Sequence, residues 1–116
     1  MKTISTPNGE YPIRYGWGAL SDFADQTGNT LDEILSAFEP SKLKPREFSY
    51  FVFYGIKDGC EESGKEFPFK SIKEIEKIIN ETGLRKVIRA SIDAFQESPF
   101  VINSKEEKVS EEDKKK

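Results

Sequence analysis

The amino-acid sequence predicts an α+β fold that is mainly helical: an N-terminal β-hairpin, four or five short helices, and a disordered, charged C-terminal tail. Three observations carry this expectation. Strand-like residues turn on Asn8-Gly9 near the start, and apolar residues then recur at steps of three and four in blocks bounded by Gly, Pro and capping pairs. The ending NSKEEKVSEEDKKK holds a single apolar residue, Val109, and cannot bury enough surface to offset the entropy of ordering it.

Residues 2–6 and 10–15 read as two strands around Pro7-Asn8-Gly9, with Asn-Gly expected to supply the positive φ angles of a tight hairpin. Pro12 has no N–H to donate, so its strand belongs at an edge. Trp17, Leu20, Phe23, Ala24 and Thr27 then fall along one side of a helix that Gly28 ends. Thr30 and Glu33 form a capping box for a second helix, with Leu31, Ile34, Leu35 and Phe38 facing inward and Pro40 as the stop. The segment from Pro45 to Gly64 is the most apolar. Phe48, Phe51, Val52, Gly55, Ile56 and Gly59 make one stripe along it and Tyr50, Phe53 and Tyr54 another, so this helix should be central. Ser71 and Glu74 suggest a further capping box ahead of Ile72, Ile75, Ile78 and Ile79, and Gly83 breaks the pattern. The last helix, about 84–97, sets Leu84, Val87, Ile88, Ile92 and Phe95 against Arg85, Lys86, Arg89, Asp93 and Gln96. Residues 1–102 are thus expected to form one small domain and 103–116 the tail.

Composition narrows the chemistry. With 21 carboxylates against 18 Lys and Arg in 116 residues, a general attraction to nucleic acid or an anionic membrane is not expected. The longest apolar run, FSYFVFYGI, is too short to span a bilayer, and one cysteine suits a reducing cytosol. The chain has no histidine, which removes Ser-His and Cys-His pairs and most transition-metal sites, so neither enzymatic activity nor a cofactor nor a metal is expected. Cys60 stands near the negative end of its helix, where the dipole opposes a thiolate, and reads as a small hydrophobe. The pairs Asp32/Glu33 and Glu61/Glu62 are adjacent residues that diverge on a helix. Asp22 and Asp25 share a side, a pattern that a solvated helix face also explains. GWGAL lacks the glycines and Lys-Ser of a phosphate loop and reads as a strand-to-helix corner.

Two features point to protein contacts. Gly55 and Gly59 form a GxxxG spacing, which serves either the close approach of a neighbouring helix or contact with a second copy through weak self-association. Aromatic residues make up 12% of the chain, more than so small a core covers, so some of Tyr11, Tyr15, Trp17, Tyr50 and Tyr54 should remain partly exposed. Trp17, Tyr50, Tyr54 and Lys57 are the nominated partner-binding residues. Arg85, Lys86 and Arg89 offer the one candidate recognition helix for DNA, which the acidic balance opposes.

Taken together, YPIRYGWGALSDFADQTGNTLDEI, FVFYGIKDGCEESGKEF and IRASIDAFQES resemble the tail assembly chaperones of long-tailed bacteriophages and related gene transfer agents. In that pattern a strand pair ends in an aromatic corner, a small helix ends in Thr-Gly, and a mid-chain apolar helix ends in a Gly-Leu-x-x-Gly-like segment. The likeness covers about residues 10–98, and Ile56 stands where the pattern carries leucine. It implies a non-enzymatic protein of the host cytoplasm that coats the tape-measure protein, helps recruit tail-tube subunits and is absent from the finished particle. A small regulatory or inhibitory phage protein that binds one host protein suits the same composition.

Overall fold

The computed structural model describes residues 1–36 and 42–102. The expectations for Phe38, Pro40 and the 103–116 tail lie outside the described residues, as does the placement of the Leu35 side chain. Strand β1 (Lys2–Thr6) pairs antiparallel with β2 (Gly9–Ile13), in a register that sets Thr6 opposite Gly9, Ile4 opposite Tyr11 and Thr3 opposite Pro12. The turn differs from the expected Asn-Gly form. Gly9 alone takes a positive φ, of 128°, and the Thr6 hydroxyl holds the loop together, accepting from the Asn8 N–H at 3.1 Å and donating to the Gly9 carbonyl at 2.8 Å. β2 also stops two residues earlier than its alternation suggests. The Arg14 N–H donates at 3.0 Å to the Gly55 carbonyl, so the chain leaves the sheet to follow a helix.

Five helices follow: α1 (Trp17–Thr27), α2 (Leu31–Ser36), α3 (Pro45–Ser63), α4 (Ile72–Thr82) and α5 (Leu84–Gln96), with residues 99–102 again helical. Most of the local signals act as expected. Gly28 closes α1 and Gly64 closes α3, both in the left-handed conformation, and Pro45 opens α3 where its missing N–H costs nothing. The Thr30/Glu33 box is reciprocal: the Thr30 N–H donates to Glu33 Oε1 at 2.9 Å and the Glu33 N–H to Thr30 Oγ1 at 3.1 Å. The Thr30 backbone N–H first, and then the Thr30 side chain beside it, hold the Glu33 carboxyl below its ordinary pKa. At α4 the box does not form: the Ser71 side chain makes no capping bond, and Glu74 reaches past it to the Lys70 N–H at 2.7 Å.

The core gathers around α3, which packs on β2, α1 and α4. Phe51, Val52 and Ile56 are buried with Ile4 and Ile13 from the hairpin, Phe23 from α1, Ile75 from α4, and Val87 and Phe95 from α5. Three helical faces differ from their sequence patterns. Trp17 is not on the inward stripe of α1, which is Ala19, Leu20 and Phe23; it opens the helix 57% exposed, its ring edge-on to Phe100 at 5.4 Å. Leu31 is also exposed and Ile34 carries the contact of α2. On α5 the buried side is Val87, Ser91, Ala94 and Phe95, so Leu84 points to solvent and Ile88 and Ile92 are half-buried. Ser91 fits inside because its hydroxyl donates to the Val87 carbonyl one turn back, at 2.8 Å.

The GxxxG spacing admits the hairpin and the residues after it instead of a neighbouring helix. A Cβ on Gly55 would lie 2.5 Å from Tyr15 Cζ, and one on Gly59 would lie 2.5 Å from the Pro12 carbonyl carbon and oxygen. The glycines are the seat of β2 and the residues after it, so this face is closed within the monomer. Tyr15 lies in that seat, 1% exposed, stacked on Phe51 at 4.2 Å and donating from its hydroxyl to the Phe51 carbonyl at 3.0 Å.

Candidate functional site

The strand-to-helix corner at Gly16-Trp17-Gly18 is held by Asp58 of α3. Its carboxylate accepts from the Gly16 N–H at 2.6 Å and from Arg14 Nη1 at 3.1 and 3.2 Å. Hydrogen bonds to a charged, half-buried partner contribute more than neutral ones, so the corner is tied to α3 by charge as well as by packing. Asp58→Ala is expected to lower the urea midpoint by the equivalent of about 2 kcal/mol, and Asp58→Asn, which keeps an acceptor for Gly16, by about half of that. Equal midpoints for wild type and the alanine variant would show that solvent replaces the corner's contacts without loss.

Beside this corner α1 and α3 enclose a cleft of about 100 Å³, lined by Gly18, Ala19 and Asp22 on one side and Tyr54, Lys57, Asp58 and Glu61 on the other. Metabolite pockets run to roughly 300–1,000 Å³, so this cleft is the size of a few waters. Tyr54, on its α3 wall, donates to Gln26 Oε1 at 3.3 Å. Partial burial, with the Asp22 and Asp25 carboxylates adding to it, pushes the Tyr54 hydroxyl above its ordinary pKa. Asp22 and Asp25 themselves face solvent, and among the described residues no group of three or more metal-ligating side chains comes together. Cys60 is buried, and that burial pushes its thiol up, with Lys65 pulling the other way.

The nominated residues divide in two. Tyr50, Tyr54 and Lys57 share one side of α3, Tyr50 stacked over Tyr54 at 6.3 Å. Trp17 is separate, its ring turned to Phe100 instead of into the cleft.

Tyr50 and Tyr54 belong to something larger that the sequence pattern does not reveal. Ring follows ring across the outer side of α3 and onto β2: Tyr54 meets Phe53 at 5.1 Å, Phe53 meets Phe67 at 5.1 Å, Phe67 meets Phe69 at 5.5 Å, and Phe69 meets Tyr11 at 5.1 Å. All six rings in this band are half-buried, resting on the core with one side open. Phe67 and Phe69 are the residues that sequence reasoning missed. Their signal is the Phe-Pro-Phe spacing, which in an extended segment sends both rings to one side, although it cannot say which side faces a helix.

Among the described residues no helix is long and apolar enough to cross a membrane. Compared with known protein families, curated proteins and solved structures, the chain finds no match in any of the three.

Proposed function

We propose that this protein is an assembly chaperone that acts by binding another polypeptide and carries out no bond-making of its own. In this reading it coats the tape-measure protein of a long-tailed phage in the host cytoplasm, helps recruit tail-tube subunits, and leaves before the particle is finished. The resemblance across residues 10–98 suggests the class of partner. The observation that carries a polypeptide-binding reading is the band of half-buried rings from Tyr50 to Tyr11. Tyrosine and phenylalanine offer large contact area at little cost in side-chain entropy, and an apolar stripe of this form suits the apolar side of a helical partner.

Co-expression with a tape-measure protein tests it: the soluble yield of that protein should rise with the wild-type chain. Tyr50→Ser with Tyr54→Ser should reduce capture by about tenfold, the effect of losing one aromatic anchor, while far-UV circular dichroism stays that of the wild type. An unchanged yield with the wild-type chain would remove the proposal. A double variant that loses its helical signal would show the two rings to be structural supports instead of contact residues.

A further inference from the structure

We propose that the groove between β1 and α5 is a docking site for an extended acidic peptide segment, which joins the hairpin as a third strand along β1. The surface is distinct from the ring band, and the inference stands whatever protein the band engages.

The two edges of this small sheet are treated differently. At β2 the outer edge is covered by α3 from Pro12 onward: the Arg14 N–H is bonded to the Gly55 carbonyl and the Pro12 backbone presses on Gly59. Pro12, with no N–H, suits that position. At β1 nothing among the described residues pairs with the outer edge. The register decides which groups face outward, because antiparallel pairs alternate between exchanging hydrogen bonds and not. The two-residue turn makes Thr6 and Gly9 a bonded pair, Ile4 and Tyr11 follow, and Thr3 opposite Pro12 falls on an unbonded position. The N–H and C=O groups of Thr3 and Ser5 therefore point away from β2, with no partner among the described residues.

Along this edge runs a groove of about 380 Å³ lined by Thr3, Ile4, Ser5, Arg85, Lys86, Arg89, Ala90 and Asp93. Natural edge strands are commonly blunted by charges on the strand itself. Here Thr3, Ser5 and Thr6 are small and neutral, and Lys2 is already paired with Glu97 at 3.3 Å, beyond the last turn of α5. The cations stand instead on the first turns of α5. Arg85, Lys86 and Arg89 make no ion pair among the described residues, in a chain whose net charge is −3. An added strand would satisfy the backbone of Thr3 and Ser5, and its carboxylates on the helix side would meet these three cations. That is strand addition with charge selection, main-chain bonds giving affinity and the flanking helix giving specificity.

The test is an amide chemical-shift titration of the full ¹⁵N-labelled chain with a capped peptide of alternating glutamate and threonine. The expected result is movement of the Thr3 and Ser5 amides together with residues 85–93. A peptide of the same sequence N-methylated at alternate residues should lose binding, and Arg85→Glu with Arg89→Glu should weaken it about tenfold. Equal binding of the N-methylated peptide would overturn strand addition without any change to the protein. Equal binding of a lysine-threonine peptide would overturn charge selection. A single-stranded oligonucleotide that moves the same amides at lower concentration would assign the groove to nucleic acid and overturn the proposal. So would movement of Thr3 and Ser5, with no peptide present, when Glu106, Glu107, Glu111, Glu112 and Asp113 are replaced by lysine, because the chain's own acidic run would then be the occupant.

Discussion

Gly59→Ala is expected to destabilise the fold by about 2 kcal/mol or more, although it replaces a poor helix former with the best one. Two effects compete. In mid-helix the exchange contributes up to about 1 kcal/mol of propensity in favour of alanine. Against it, the new Cβ would lie 2.5 Å from the carbonyl carbon and oxygen of Pro12 and 2.8 Å from the Ile13 nitrogen. These are backbone atoms of a strand pinned on both sides, by the β1 ladder and by the bond from the Arg14 N–H to Gly55, so no rotamer change relieves the clash. Overpacking of this kind costs about 1–3 kcal/mol even where side chains can give way, and here β2 would have to lift off α3. Gly18→Ala is the matched control. Gly18 also lies in a helix, a Cβ there meets nothing within 4 Å, and the exchange should stabilise by about 0.5–1 kcal/mol. Urea midpoints of the two variants should move in opposite directions. Midpoints moving together would mean that α3 and β2 are not in this contact.

The second large effect is a loss of stability at alkaline pH that depends on Tyr15. Burial pushes the Tyr15 hydroxyl far above its ordinary value of 10.0, against which the neighbouring Ser91 side chain counts less. The folded state therefore keeps the proton while the unfolded chain releases it. A group whose folded pKa is raised contributes stability that is fully present below the unfolded value and is lost as pH rises above it. From about pH 10 upward the slope is about 1.4 kcal/mol per pH unit, so about 2–3 kcal/mol is lost by pH 12. The comparison with Tyr15→Phe isolates this hydroxyl from everything else that alkali changes. The variant gives up the bond to the Phe51 carbonyl, about 1 kcal/mol at pH 8, but its midpoint should fall less steeply between pH 9 and pH 12. Tyr54 is also raised, yet it is far more open to water and adds little. Parallel pH curves for wild type and Tyr15→Phe would show that the hydroxyl reaches solvent.

Much of the candidate site depends on contacts between residues far apart in the chain, and this limits what a sequence pattern shows. Tyr50, Phe53 and Tyr54 were legible as a second apolar stripe on α3, because helical spacing alone puts them on one side. Their continuation through Phe67, Phe69 and Tyr11 was not, since it needs the loop after Gly64 to fold back over α3 and β2 to run beside it. Trp17 was placed on the inward stripe of α1 by spacing and sits outside it, because the buried side of the helix is Ala19, Leu20 and Phe23, with Phe23 packed edge-on to Phe51. Glu74 was read as capping through Ser71 and bonds to Lys70 instead, a shift of one residue decided by how the Phe69-Lys70 segment enters α4.

The sequence by itself determined the hairpin and the four or five helices after it, their order, and most of their ends. Those features are set by interactions within a few residues: Thr30 with Glu33, Pro45 at a first turn, Gly28 and Gly64 in left-handed conformations. Only the tertiary structure decided that Gly55 and Gly59 receive Tyr15 and Pro12, that Asp58 ties down the Gly16 corner, and that one edge of the sheet meets α3 while the other runs open beside three cations. Each of these joins residues some 40 or more apart in the chain or turns on which side of an element is covered, and periodicity carries no information about what lies opposite a stripe.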